Sequence, residues 1–200
     1  MIWLEAAIVA GEIAGLVFSI GKHGWWGQFV YYTQCSNYFL LVASAVYLAC
    51  LLRRSVPAWA ERLRYTAACL TTVTFIVTVC VLIPWYGHPD YFLLQTNGLF
   101  QHLLCPLMAI AGLRFLRSVR GKDVLRAVLP TLGYGIVMYA LNILRAVDGP
   151  YPFMKGYDQP WYMSVIWFIV LLAAALGIAA ALRLLCRRVS SDGLPPRRPV

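Results

Sequence analysis

The sequence predicts an all-α integral membrane protein with six transmembrane helices in one bundle and both termini on the cytoplasmic side. Three observations lead there. Hydrophobic residues make up 61% of the 200-residue chain and charged residues only 12%, against roughly 25% charged in a soluble domain. The apolar residues come in long blocks, each about the 20 residues that cross a hydrocarbon core. The basic residues sit at the ends of these blocks. Threaded as six spans, they divide 14 to 3 between the two sides, and the richer side is cytoplasmic. The net charge of +9 is therefore an orientation signal, and no nucleic-acid partner is expected. Residues 1–186 form one transmembrane domain, and 187–200 form a disordered basic cytoplasmic tail. The expected location is the cell membrane, as a multi-pass protein.

Span one covers about Ile2 to Ile20. It lacks a basic leader and carries Glu5 and Glu12, so it reads as a retained span. The two glutamates are seven apart and share a helix face. Glu12 falls near mid-membrane, where an ionised carboxylate needs a partner or a polar cavity. The loop with Trp25 and Trp26 reads as an interfacial belt.

Span two runs from near Phe29 to Arg53 and opens with Tyr31-Tyr32-Thr33-Gln34-Cys35-Ser36-Asn37. Thr33 and Asn37 are four apart and face the same way. Span three, about Leu63 to Ile83, is rich in threonine, whose hydroxyls bond back to their own helix. A turn-rich loop, Pro84 to Asp90, leads into span four. This span carries Gln95, Asn97, Gln101 and His102, the most polar interior of any span. Pro106 cannot donate to the His102 carbonyl, so a bend is expected there.

Span five, about Val124 to Leu144, brings Asn142 and Arg145 to the outer side. The long aromatic loop from Asp148 to Trp161 could cover the bundle as a lid or lie at the interface. Span six, Tyr162 to Leu185, is rich in small residues in its second half, which suits close packing. The six cysteines form no CxxC pair and read as small buried hydrophobes. No inverted repeat with broken helices is visible, which weakens a transporter reading.

This topology brings polar residues of spans two, four and five, together with Glu12, toward one cavity in the outer half of the membrane. A hydroxyl nucleophile needs a base within hydrogen-bond reach and donors for the developing oxyanion. Thr33 and His102 are one candidate pair, with Ser36 or Cys35 as alternatives to Thr33. Asn37, Gln101 and Asn142 are candidate oxyanion donors, and Arg145 and Glu12 complete the candidate substrate-binding set.

Three local patterns carry a resemblance: Tyr32-Thr33-Gln34-Cys35-Ser36-Asn37; His102-Leu103-Leu104-Cys105-Pro106; and Tyr139 to Arg145 followed by Gly149-Pro150-Tyr151-Pro152-Phe153. In order and spacing they resemble the androgen-induced and androgen-dependent TFPI-regulating membrane hydrolases, and more closely their bacterial integral-membrane relatives. The animal members hydrolyse fatty acid esters of hydroxy fatty acids with an intramembrane threonine and histidine. The resemblance implies Thr33 as nucleophile, His102 as general base, and a lipid-like ester as substrate. The spacing around His102 departs from the animal pattern.

No cofactor is expected. A bis-histidine haem needs two histidines within spans, and only His102 qualifies. A metal site would need His23 and His88 to reach mid-membrane from their loops. The contrasting expectation is a non-enzymatic membrane protein, a small transporter or assembly subunit, in which the same polar residues only pack helices.

Overall fold

The computed structural model describes residues 1–95 and 97–190, with side chains as far as Cys186. The described residues are helical throughout, joined by turns, with no strand among them. The principal helices are α1 (Ile2–Gly27), α2 (Tyr32–Leu52), α3 (Ala58–Val77), α6 (Cys105–Gly112), α7 (Gly121–Ile143) and α8 (Trp161–Ser190). The short helices α4 (Ile83–Tyr86) and α5 (Pro89–Leu93) lie between α3 and α6. Residues 191–200, most of the expected tail, lie outside the described residues, and α8 continues as far as Ser190.

Among the described residues, five helical stretches are long and apolar enough to cross a bilayer: Ile2–Val30, Tyr32–Leu52, Ala58–Tyr86, Gly121–Ile143 and Trp161–Cys186. Their outward faces carry exposed Val17, Phe18, Val42, Leu129, Ile136 and Ile169, a surface that suits hydrocarbon and not water. The expected fourth span differs from the other five. Its apolar helix is the shorter Leu99–Phe115, preceded by α5 and a turn through Leu94 and Gln95.

Within that helix, proline chemistry sets the local geometry. Residues 99–104 form a π-turn in which the Cys105 N–H reaches the Phe100 carbonyl, five residues back. Pro106 follows at once and has no N–H to offer. The same device recurs at the end of α3. There 78–82 form a π-turn, the Ile83 N–H bonds to the Thr78 carbonyl, and Pro84 follows. In both places the helix slips its register by one residue just before a proline and continues.

Helix α3 is the centre of the bundle, packed against α2, α6, α7 and α8. Its buried residues include Ala60, Ala67 and Ala68, and α6, α7 and α8 meet them with Ala109, Ala127, Ala175 and Ala179. Small side chains let helix backbones approach where no hydrophobic drive exists between helix and lipid. The Tyr65 hydroxyl donates to the Ala179 carbonyl and pins α3 to α8. Helix α1 packs against α2 and the 99–112 segment and adds Ile8 to the core.

Helix α3 starts at Ala58, earlier than the sequence suggests, so Arg62 and Arg64 belong to the helix. Arg64 is buried and pairs with Glu5 of α1 at 2.9 Å, both side chains at most 1% exposed. Glu61 accepts the backbone N–H groups of Arg117 and Ser118 at 2.8 and 2.6 Å. Asp123 accepts the Arg120 N–H at 2.7 Å, which closes the first turn of α7. The glutamate on the face of span one thus acts as a counter-ion between helices. Removing one partner leaves a buried charge uncompensated, a loss of about 3–5 kcal/mol. Arg64→Ala is therefore expected to lower stability by that order in detergent unfolding followed by circular dichroism, and Glu5→Ala similarly. A change under about 0.5 kcal/mol, the level of an ordinary surface substitution, would contradict this account of the pair.

Candidate functional site

Helix α2 begins inside the bundle, and its first turn shapes the site. Its cap residue, Tyr31, makes no side-chain capping bond, so the first N–H groups of the helix need acceptors from elsewhere. The Thr33 N–H donates to the Tyr151 hydroxyl at 3.3 Å, and the Thr33 side chain lies beside the same phenol. Tyr151 comes from the loop between α7 and α8. A loop thus supplies the cap that the local sequence lacks.

That loop is strapped down at several points. Asn142 donates to the Val147 carbonyl at 3.3 Å and accepts from the Gly156 N–H at 3.0 Å. Gln159 donates to the Phe153 carbonyl at 3.0 Å and to Ser164 at 2.9 Å. The Tyr157 hydroxyl donates to the Ile143 carbonyl. Gly149 lies so close to the returning chain that a Cβ there would meet the Met154 carbonyl oxygen at 2.6 Å. The rings of Tyr151 and Phe153 stack at 5.2 Å, and Phe153 meets Trp167 of α8 at 5.5 Å. Of the two expectations for this loop, the lid describes it better.

Beneath the loop is a cavity of about 430 Å³, bounded by α2, α3 with its π-turn, α7 and α8. Ligand pockets run from roughly 300 to 1,000 Å³. Its walls are aliphatic and aromatic, interrupted by hydroxyls from Thr33, Thr74, Thr78, Thr131, Tyr151 and Ser164. Among the described residues no Lys, Arg, His, Asp or Glu lines it. Two tyrosines hold α2 to α7 at its edge: Tyr32 shares a hydrogen bond with Thr131 at 2.7 Å, and Tyr134 donates to the Val30 carbonyl at 2.6 Å.

The three candidate nucleophiles separate. Thr33 is on the cavity wall. The Ser36 hydroxyl donates to the Thr33 carbonyl at 2.9 Å and pairs with Thr74 at 2.8 Å. Cys35 lines a separate depression with Phe29 and Tyr38, and its thiol bonds to the Phe29 carbonyl.

The other candidates form a polar seam beside the cavity. Asn37 donates to the Thr33 carbonyl at 2.8 Å and to the Gln101 carbonyl at 3.3 Å. The Gln101 side-chain oxygen accepts from Gln34 at 2.9 Å and from Asn97 at 3.2 Å. His102 is next in the chain. Its Nδ1 lies 2.8 Å from the Phe92 carbonyl oxygen. A carbonyl only accepts, so Nδ1 carries the proton and Nε2 is the basic nitrogen of the neutral ring. His102 does not line the cavity.

Glu12 is buried against Cys105, with its Oε1 lacking a hydrogen-bond partner. Arg145 ends α7 in a left-handed conformation (φ 55°), its guanidinium 4.7 Å from the Tyr157 ring centre. Asn142 anchors the loop, as described above. The structure therefore brings together Thr33, Asn37 and Gln101. Asn142 and Arg145 are engaged with the loop, and Glu12 with α6.

Sequence reasoning missed Tyr151, Thr78 and Thr131. The aromatic loop was the signal for Tyr151, and the run of threonines in span three was the signal for Thr78. Among the described residues no three His, Cys, Asp or Glu side chains gather as metal ligands, and all six cysteines are free thiols.

No protein-family profile, curated protein or solved structure matches this chain.

Burial pushes the Tyr151 phenol up to about 12, with the donors from Thr33 and Tyr32 acting in the opposite direction. A folded value above the ordinary 10 or so means that its contribution to stability is complete below pH 10 and is lost as pH rises toward 12. The difference between wild type and Tyr151→Phe in ultraviolet titration should show this phenol about nine-tenths protonated at pH 11. Half-ionisation near pH 10 would mean the phenol is not buried under the loop.

Proposed function

We propose that this protein is a six-span membrane protein of the cell membrane, with both termini cytoplasmic, that binds a lipid in the cavity and hydrolyses its ester. On this reading α5 and the 99–115 segment together make the fourth crossing. The 14-to-3 division of basic residues supports the orientation. One observation carries the chemical part: of the three candidate nucleophiles, Thr33 alone lines an apolar cavity large enough for a lipid chain. The resemblance to the TFPI-regulating membrane hydrolases assigns the nucleophile to the same residue.

In the reaction, Thr33 Oγ attacks the ester carbonyl and its proton passes to Nε2 of His102. The tetrahedral intermediate collapses, the alkoxide leaves with that proton, and an acyl-threonine remains. His102 then takes a proton from water, the resulting hydroxide attacks the acyl group, and as the acid leaves His102 returns that proton to Thr33 Oγ, which regenerates both residues. The contact in support is Asn37, whose amide joins the Thr33 carbonyl to the Gln101 carbonyl, one residue from His102. The mechanism requires His102 to serve Thr33 from this seam, behind the cavity wall, with Nε2 coming within about 3.2 Å of Thr33 Oγ.

The test is covalent labelling. A fluorophosphonate probe is expected to label the purified protein at Thr33. Thr33→Ala should abolish labelling, and His102→Ala should slow it by about 10²- to 10⁴-fold. Ser36→Ala and Cys35→Ala should keep it. Full labelling of a folded Thr33→Ala variant would remove the nucleophile assignment.

The second reading is a non-enzymatic membrane protein. It is favoured by the amount of polar chemistry that is already satisfied, with Gln101 accepting from both Gln34 and Asn97 and Ser36 paired with Thr74. Under that reading Gln101→Leu lowers the melting temperature in detergent, and no variant changes an ester turnover because none exists.

A further inference from the structure

The threonines of α3 separate one hydroxyl from the rest. Thr71, Thr72 and Thr74 each have a place for the hydroxyl proton: the Ala67 and Ala68 carbonyls for the first two and, for Thr74, the Ser36 hydroxyl, which itself donates to the Thr33 carbonyl. Thr78 does not. Its Oγ1 is buried and has no partner, and the residue is 1% exposed. It opens the π-turn, where the register slip changes the geometry of the preceding carbonyls, and it lines the cavity. A buried hydroxyl without a partner carries a standing penalty, which a bound oxygen acceptor would relieve.

Tyr151 offers the second donor. The cavity's other hydrogen-bonded tyrosines have committed their hydroxyls: Tyr134 donates to the Val30 carbonyl, and Tyr32 is paired with Thr131. In the bond with Thr33 the N–H is the donor and the Tyr151 oxygen the acceptor. That bond leaves the phenol's own proton unused. The N-terminal turn of α2 lies behind that oxygen, and its positive end makes the phenol a better donor.

Charge then selects the ligand. With no cationic side chain on the cavity wall, a buried carboxylate or phosphate would have no counter-ion and would pay its full desolvation cost. A neutral carbonyl needs only hydrogen-bond donors, and Tyr151 and Thr78 are among those on the wall.

We infer that the cavity binds the neutral carbonyl of a long-chain lipid, in preference to a free fatty acid or a phosphate headgroup, with Tyr151 and Thr78 as the donors that hold it. The inference rests on the cavity reading above and names its ligand class, but binding of this kind does not depend on hydrolysis. If hydrolysis also occurs, the preference has a consequence. The fatty acid product is ionised at neutral pH, is a poor fit for the cavity, and leaves.

The experiment uses the full-length protein in dodecyl maltoside and four probes of equal chain length: a methyl ketone, the alkane, the fatty acid at pH 9, and the alkyl phosphate. The ketone presents a carbonyl that cannot be hydrolysed. Binding is read from saturable shifts in melting temperature. The ketone is expected to bind at least 10-fold more tightly than the acid or the phosphate. Tyr151→Phe and Thr78→Val should each weaken ketone binding about 2- to 10-fold, the worth of one hydrogen bond, and leave alkane binding unchanged. The alkane arm separates donation from mere packing. Because Tyr151 also caps α2, Thr78→Val is the variant that decides if Tyr151→Phe fails to fold. Acid or phosphate binding as tight as the ketone overturns the inference, as does ketone binding that neither variant weakens. Failure of fluorophosphonate labelling with ketone selectivity intact would remove the hydrolase reading and leave this one standing.

Discussion

In a bilayer interior a buried amide has no water to turn to, and Gln101 is the group whose satisfaction organises the polar half of this molecule. Its side-chain oxygen takes the amides of Gln34 and Asn97, and its backbone carbonyl takes that of Asn37. Gly15 of α1 makes room for it: a Cβ there would stand 2.7 Å from the Gln101 side chain. Three chain segments are thereby locked at one depth and one rotation. The rotation matters most for α2. With Gln34 and Asn37 held toward Gln101, the first turn of α2 is fixed, and Thr33, on the same side of the helix as Asn37, reaches the edge of the space between α3, α7 and α8.

The two π-turns extend the same constraint. Each precedes a proline, and each absorbs the missing N–H by moving the hydrogen-bond register one residue further back. The turn at 99–104 rotates Gln101 inward and leaves His102 against Phe92. The turn at 78–82 removes Thr78 from the pattern that its neighbours follow, in which each hydroxyl has a partner. Register slips of this kind are costly in an ordinary helix, and here both lie beside the cavity or the seam next to it.

The cavity itself is a product of the long α7–α8 loop as much as of the spans. Asn142 and Gln159 fold that loop back, Gly149 permits the tight return, and Tyr151 reaches the open end of α2. The result is a chamber with apolar walls, hydroxyls at several points, and no charge. Such a lining suits a neutral lipid, and it keeps Thr33 away from the charged groups Glu5, Arg64 and Glu12, which belong to the packing of α1.

Composition, block length and the placement of arginines were enough to read an all-helical membrane protein from the sequence, because hydrophobic length and interfacial charge are local properties. A disturbance before Pro106 was legible for the same reason, since a missing N–H is written in the residue itself, though its form as a π-turn was not. The shorter fourth apolar helix was less legible, because the polar residues before Asn97 interrupt a hydropathy pattern that otherwise runs on from α5. The site divided along similar lines. Thr33 and the polar face of α2 stood out as a cluster, and the closeness of Asn37 to Thr33 followed from their spacing of four. Other features arise from contacts between segments distant in the chain: the pairing of Glu5 with Arg64, the partnering of Gln101, and the arrival of Tyr151 at the Thr33 N–H across 118 residues. Only the tertiary structure could decide these, because which helix face meets which neighbour depends on how all the helices share one core.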